Sequence, residues 1–220
     1  NVSLGRNKLK EYILATNGYD EYAYQQLLKE YKIRHENKKQ VGLYCMIHII
    51  ADSTSAIPQE MLSKYSNLHV IPLSLSIKGE YIPENEATIR QVIEYSEKTN
   101  QAIPTSQPST GDFLNAFNLI PEKDDIIVLC ITTAVSGTYN GAVLAAKQSG
   151  RGNISVINTK TTAVGMLQMV QDALEFIESG NSFAEITDKL TEVAEHMRTT
   201  FTVDTLDYLR RGGRIGKSAA

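Results

Sequence analysis

Two short apolar runs constrain this chain most. Met46-Ile47-His48-Ile49-Ile50-Ala51 and Ile126-Ile127-Val128-Leu129-Cys130-Ile131 each break off into a hydroxyl-rich turn that opens a helix. Runs of this length, apolar at consecutive rather than alternate positions, suit strands buried on both faces. A strand of that kind followed by a helix predicts an α/β domain, with a largely parallel sheet and helices packed on both faces. Ile154 to Ile157 supplies another such strand. His69 to Ile77 alternates loosely and is β-rich, with Pro72 marking an edge or bulge. Phe201-Thr202-Val203 also reads as a strand.

The helices are legible from their starts and stripes. Pro58 fits the first turn of a helix to about Tyr65. Residues 87–99, 111–119, 137–147 and 162–178 follow, the second with Phe113, Leu114 and Phe117 on one face. Ser182 with Glu185 three residues on is a capping box that opens a helix over 182–197. Thr205 to Arg211 reads as a short helix ended by Gly212-Gly213. Pro104-Thr105-Ser106-Gln107-Pro108-Ser109 reads as a loop.

Residues 1–45 differ from the rest. They hold eight basic and five acidic residues, against 22 and 25 in the whole chain, whose net charge is −3. Asp20 caps a helix to about Arg34 with Tyr24, Leu27, Leu28 and Tyr31 on one face. The basic positions Lys29, Lys32, Arg34, Lys38 and Lys39 read as a solvated helix face, and no nucleic-acid partner is expected. No apolar stretch approaches the length of a transmembrane helix, and Asn1 to Lys10 lacks the apolar core of a signal peptide, so a soluble cytoplasmic protein is expected. Cys45 and Cys130 are far apart, and His35, His48, His69 and His196 are scattered, which predicts no disulfide framework and no metal site. The chain starts on Asn and ends on Lys217-Ser218-Ala219-Ala220, which reads as a fragment with Met46 as the natural start.

In parallel sheets ligands bind at the carboxyl ends of the strands. Three polar loops qualify. Thr132-Thr133-Ala134-Val135-Ser136-Gly137-Thr138-Tyr139 leads from a buried strand into a helix, whose first N–H groups carry partial positive charge. Ser136 adds a hydroxyl donor and Gly137 lets an anion approach the backbone closely, so the loop suits a carboxylate or phosphate. The plainer reading is that Ser136 or Thr138 caps the helix. In Thr105-Ser106-Gln107-Pro108-Ser109 the prolines Pro104 and Pro108 stiffen a cluster of hydroxyl donors, which lowers the ordering cost of binding. Asp52-Ser53-Thr54-Ser55 is the third cluster; Asp52 would repel an anion unless turned away or protonated.

Gly212-Gly213-Arg214-Ile215-Gly216-Lys217-Ser218 ends like a phosphate-binding P-loop, but position 211 is Arg211 rather than glycine and the run follows a helix. It reads as a cap and bend from which Arg214 can reach an anion as a forked, permanent cation. Ser136 stands in no nucleophile elbow and has no histidine assignable to it. Hydroxyls without a base suggest binding rather than turnover.

Taken together, Ala51-Asp52-Ser53-Thr54, Pro104-Thr105-Ser106-Gln107-Pro108-Ser109, Ser136-Gly137-Thr138-Tyr139 and Tyr208-Leu209-Arg210-Arg211-Gly212-Gly213-Arg214-Ile215 resemble the DegV family, in order, over Met46 to Ala220. The resemblance implies two α/β domains with a long-chain fatty acid between them, here 46–158 and an incomplete second domain over 159–220, with 1–45 an appended segment outside the match. It implies a non-catalytic subunit that carries the fatty acid by its carboxylate. An ATP-dependent fatty-acid kinase partner phosphorylates that carboxylate, and the acyl phosphate feeds phospholipid synthesis. The family's carboxylate-binding hydroxyls fall on Thr105, with Ser106 beside it, and on Ser136; the arginine near the head group falls on Arg214. The ligand-binding set expected is Thr105, Ser106, Ser136, Gly137, Ser53 and Arg214, with no catalytic residue, no metal and no cofactor beyond the fatty acid. Family members continue past Gly-Gly-Arg-Ile and add a histidine near the head group, which this chain, ending at Ala220, lacks. Two other readings stand beside this one: a free-standing α/β enzyme using Ser136 or Asp52 on a small acylated or phosphorylated substrate, and a lipid-sensing regulatory protein.

Overall fold

The structure, a computed structural model, describes residues 45–99 and 101–215. The helix expected over 20–34 lies outside them. The chain divides into two compact units, Asn1–Cys45 and Met46–Ala220, and the elements below belong to the second. In chain order they are β1 (Ile47–Asp52), α1 (Gln59–Lys64), β2 (Leu68–Ile71), β3 (Ser74–Ile77), β4 (Glu80–Pro83), α2 (Glu86–Thr99) and β5 (Thr105–Ser106). Then come α3 (Thr110–Asn118), β6 (Asp125–Cys130), α4 (Thr138–Ser149), β7 (Ile154–Asn158), α5 (Val164–Glu178), α6 (Phe183–His196) and α7 (Asp207–Arg211).

Four strands form a parallel sheet in the order β2-β1-β6-β7. Its apolar runs alternate between two cores because successive side chains of a strand point to opposite faces. Ile49, Ala51, Ile127 and Leu129 pack with Met169, Val170 and Ala173 of α5 and Ile186 and Leu190 of α6. Ile50, Ile126, Val128 and Cys130 pack with Phe113 and Phe117 of α3 and Ala142 and Ala145 of α4. Ile49, Ile50, Ile126, Ile127 and Leu129 have no exposed surface, and burying each stabilises the fold by roughly 1.5–3 kcal/mol. The expected parallel sheet covered on both faces is thus present, and Cys130 is the small buried hydrophobe its run implied.

The chain leaves β1 for β2 on one side and later returns to β6 on the other. A crevice therefore opens between the carboxyl ends of β1 and β6, the switch point at which parallel sheets receive ligands.

A second, antiparallel sheet in the order β4-β3-β5 stands apart from the first. It accounts for two departures from expectation. The β-rich stretch 69–77 is not one strand: it breaks at Pro72, with β2 in the parallel sheet and β3 in the antiparallel one. Thr105 and Ser106, expected in a loop, pair with Leu75 and Ser74 as β5. Lys78 and Gly79, with φ of 54° and 86°, form the two-residue turn that joins β3 to β4. Phe201-Thr202-Val203 forms no strand, having no ladder partner among the described residues; Phe201 is 63% exposed. Capping boxes open α3 (Ser109 with Asp112) and α6 (Ser182 with Glu185), the second as expected.

Candidate functional site

At the end of β1, Asp52 turns inward. It is 1% exposed. Its Oδ1 accepts from the Thr54 N–H at 3.1 Å and from the Thr54 hydroxyl, and its Oδ2 accepts from the Ile131 N–H at 2.7 Å. The carboxylate thus caps the Ser53–Ser55 turn and ties β1 to the chain leaving β6. Burial pushes its pKa up, the three hydrogen bonds work against that rise, and the Glu84 charge adds to it. Asp52 is therefore committed to structure, joining the ends of β1 and β6. Ser53, beside it, is equally engaged: its hydroxyl donates to Glu84 and accepts from the Leu73 N–H at 2.9 Å.

Across the crevice, β6 leads through Thr132–Gly137 into α4. The residue at the helix start is Gly137, which offers no side-chain cap. Ser136 supplies part of one: its Oγ accepts from the Thr138 N–H at 3.3 Å and lies 2.9 Å from the Thr138 hydroxyl. Ser136 is half-buried, while Thr138 is completely buried. No histidine or carboxylate is hydrogen-bonded to Ser136 among the described residues.

Gly137 is closely covered by the Gln107 side chain. A Cβ at this position would lie 2.2 Å from Oε1 of Gln107. One turn on, a Cβ at Gly141 would lie 3.4 Å from Gln107 Nε2 and 3.7 Å from the Pro108 carbonyl oxygen. Gln107 and Pro108 therefore lie directly on the first turn of α4, which seats the Thr105–Ser106 strand beside Ser136. The other end of that strand is held by the Ser76 N–H donating to the Pro104 carbonyl at 2.9 Å. Thr105 and Ser106 are both exposed.

Arg214 reaches Thr105 because α7 stops abruptly. Gly213, at φ 71°, reverses the chain in a conformation that other residues rarely adopt. Its N–H donates to the Arg210 carbonyl at 3.0 Å, and that of Arg214 to Leu209 at 2.9 Å. The guanidinium then donates to the Gly212 carbonyl at 2.5 Å and to the Thr105 hydroxyl at 3.4 Å. Between these segments lies a cleft of about 760 Å³ whose lining includes Ile103, Pro104, Thr105, Tyr208, Leu209 and Arg214. The apolar side chains of Ile103, Pro104 and Leu209, with two arginines, Arg211 and Arg214, and the Thr105 hydroxyl, suit a molecule with an anionic head and an apolar body.

Of the expected residues, Thr105 and Arg214 meet and line the cleft, whereas Ser106, Ser136, Gly137 and Ser53 are not among its lining residues; Gly137 is approached by Gln107, next to Ser106 in the chain, and Ser53 is occupied by Leu73 and Glu84. Two residues escaped the sequence reading. Gln107 was seen only as part of a hydroxyl-rich loop; its packing partner Gly137 lies 30 residues away. Glu84 had no local signal at all. No group of three His, Cys, Asp or Glu side chains among the described residues could hold a metal ion, and no helix among them is long and apolar enough to cross a membrane.

Comparison with known proteins agrees with this architecture. A DegV domain-containing protein of Staphylococcus aureus is 35% identical over 172 residues, which are 77% of this chain and 61% of that protein. A relative from Deinococcus radiodurans is 35% identical over 177 residues, 79% of this chain and 62% of that one. The chain thus spans about three fifths of the length of these relatives. Among solved structures, a DegV family protein from Thermus thermophilus, described for its fatty-acid binding, superposes with a TM-score of 0.70 at 30% identity, covering 79% of this chain and 62% of that one. The fatty acid kinase B3 protein of Streptococcus pneumoniae, solved loaded with linoleic acid, gives 0.65 at 23% identity over 79% of this chain and 63% of its own, a likeness of fold. The profile of the family described as uncharacterised protein, DegV family, matches residues 46–220. On that match and these identities, the chain belongs to the DegV family.

Proposed function

We propose that this chain holds a long-chain fatty acid by its carboxylate and presents it in the cytoplasm to an ATP-dependent fatty-acid kinase, without itself catalysing phosphoryl transfer. The observation that carries the reading is the Arg214 guanidinium directed at the Thr105 hydroxyl beside a cleft with apolar walls. Fatty-acid binding by the Thermus relative supports it, as does the kinase connection of the Streptococcus protein, which shares the fold. Thr105, Ser106, Ser136 and the backbone at Gly137 then receive the carboxylate, with Arg214 near the head group. In this reading the second domain, whose wall encloses the tail, begins only after α6, because α5 and α6 pack on the parallel sheet and belong to the first domain.

The two ends of the ligand do different work. A tail of about 14 methylenes buried at ~0.8 kcal/mol each contributes roughly 11 kcal/mol gross. Each hydrogen bond to the carboxylate adds about 1.5–3 kcal/mol. The tail therefore supplies affinity and the hydroxyls set which end faces the partner. Stearate affinity, measured by displacement of a fluorescent fatty acid, tests this with Ser136→Ala and Thr105→Val. Each variant is expected to bind at least about tenfold more weakly with an unchanged circular dichroism spectrum. Unchanged affinity in both overturns the assignment. With ATP alone bound stearate stays unmodified; with a fatty-acid kinase added it becomes the acyl phosphate.

A further inference from the structure

Ser53 stands in the first loop of the switch point, where a hydroxyl would be expected to face the ligand. Both sides of that hydroxyl are taken. Its proton goes to the Glu84 carboxylate, and its oxygen receives the Leu73 N–H at 2.9 Å. Leu73 and Glu84 are themselves joined, since the Glu84 N–H donates to the Leu73 carbonyl at 2.7 Å. That bond continues the β3–β4 ladder one step beyond the Ser74 and Pro83 pair. Ser53, in the turn that follows β1 of the parallel sheet, is thus joined to the end of the antiparallel sheet. Leu73 is 8% exposed, and Ser53 and Glu84 are half-buried.

What hangs from this end of the antiparallel sheet is the strand with the candidate hydroxyls. Ser74, next to Leu73, pairs with Ser106, and Leu75 pairs with Thr105. Besides the short chain connections at Pro72-Leu73 and Gln107-Pro108, two side-chain attachments among the described residues bear on the position of Thr105 relative to Ser136. One is the packing of Gln107 on Gly137. The other is the Ser53 hydroxyl.

We propose that Ser53 and Glu84 are positioning residues, a hydrogen-bonded clamp that holds the antiparallel sheet, and with it Thr105, in place over the carboxyl end of the parallel sheet, and that Ser53 does not itself touch the ligand. The proposal rests on the fatty-acid reading above for its ligand, but not for its geometry.

The two roles open to Ser53 give opposite signs at Glu84. If Ser53 were a ligand donor, Glu84→Ala would free the hydroxyl and remove a negative charge, and stearate would bind as tightly or more tightly. If Ser53 is one half of a clamp, Ser53→Ala and Glu84→Ala both weaken stearate binding, by about tenfold. The double variant is then no weaker than Ser53→Ala alone, which already loses both the Glu84 and the Leu73 bonds of that hydroxyl. Glu84→Gln, which keeps an oxygen to accept from Ser53, restores most of the affinity. The second readout is amide hydrogen exchange in the free 220-residue chain: Ser53→Ala and Glu84→Ala are expected to speed exchange in 73–77 and 104–106 while α5 and α6 stay protected. Should the unaltered chain refuse stearate, the fatty-acid reading fails and the exchange pattern alone decides the clamp. Tighter stearate binding by Glu84→Ala, or unchanged exchange in the antiparallel sheet, overturns the proposal.

Discussion

The same substitution at two glycines should have very different costs. At Gly137 a new Cβ would lie 2.2 Å from Gln107 Oε1, and at Gly165 a new Cβ would lie 2.1 Å from Thr161 Oγ1. The distances are alike; what differs is what can move. Gln107 is exposed and the clashing atom is at the far end of its side chain, so it can rotate aside at about 0.5–1.5 kcal/mol. The smaller unfolded-state entropy of alanine offsets this by about 0.4–1 kcal/mol. Gly137→Ala should therefore leave stability within about 1 kcal/mol of the original, while displacing Gln107 from the Thr105–Ser106 strand and weakening stearate binding. Thr161 has no such freedom. It is 1% exposed, its hydroxyl is bonded to that of Thr199, and its Cβ and Cγ2 would also both lie 3.0 Å from the new methyl. A side chain with a single rotatable bond cannot clear three contacts without moving the backbone. Gly165→Ala should cost about 1–3 kcal/mol for overpacking plus about 1 kcal/mol for the strained hydroxyl contact. About 1 kcal/mol returns through the helix propensity of alanine, leaving roughly 1–3 kcal/mol. Urea denaturation of the two variants reads this directly. Equal stability of Gly165→Ala and the unaltered chain, or equal losses in both variants, would refute the reasoning from mobility.

Other perturbations follow from single side chains. Asp52→Asn keeps one acceptor where the structure uses two and turns an amide N–H₂ toward a backbone or hydroxyl donor, so it should cost about 1–3 kcal/mol in urea denaturation. Arg151 donates to the carbonyls of Phe117, Ile120, Pro121, Glu122 and Asp124, a fan that a lysine cannot reproduce; Arg151→Lys should lower the melting temperature by several degrees, about 2–4 °C per kcal/mol lost. His48 and His69 stack with ring centroids 5.2 Å apart and nitrogens 2.9 Å apart, and His48 lies 3.4 Å from Asp124. Burial first, and then the charge on His48, holds the His69 pKa below its ordinary 6.5. The unfolded chain therefore takes up a proton at this position more readily than the folded one. Stability is complete above about pH 6.5 and is lost as the pH falls through the lowered value. His69→Leu should flatten that decline; an unchanged slope between pH 7 and 5 would show that the pair does not control it.

What the sequence made legible is what local chemistry decides. Ile49-Ile50-Ala51 and Ile126 to Cys130 are apolar at every position, so their burial on both faces was readable without knowing the partner strands. Ser182 and Glu185 satisfy each other within one helical turn. The misses are all pairings over distance. Thr105-Ser106 is a strand only because Ser74 and Leu75 lie beside it. Phe201-Thr202-Val203 has the alternation of a strand but pairs with none among the described residues. Pro72 was read as an edge or bulge within one stretch, yet it separates two sheets. The candidate hydroxyls Thr105 and Ser136 were legible as types in loops, whereas the Gln107–Gly137 contact that sets their strand and helix side by side, and the engagement of Ser53 by Glu84, depend on the fold.

Native mass spectrometry of the purified chain tests the central claim most directly. The account predicts a mass increment that is released on denaturation as a free long-chain fatty acid, and that is lost from Thr105→Val combined with Ser136→Ala. A chain that flies without any increment and takes up neither added stearate nor added oleate would contradict it, and would mean that the family fold is present here without its ligand.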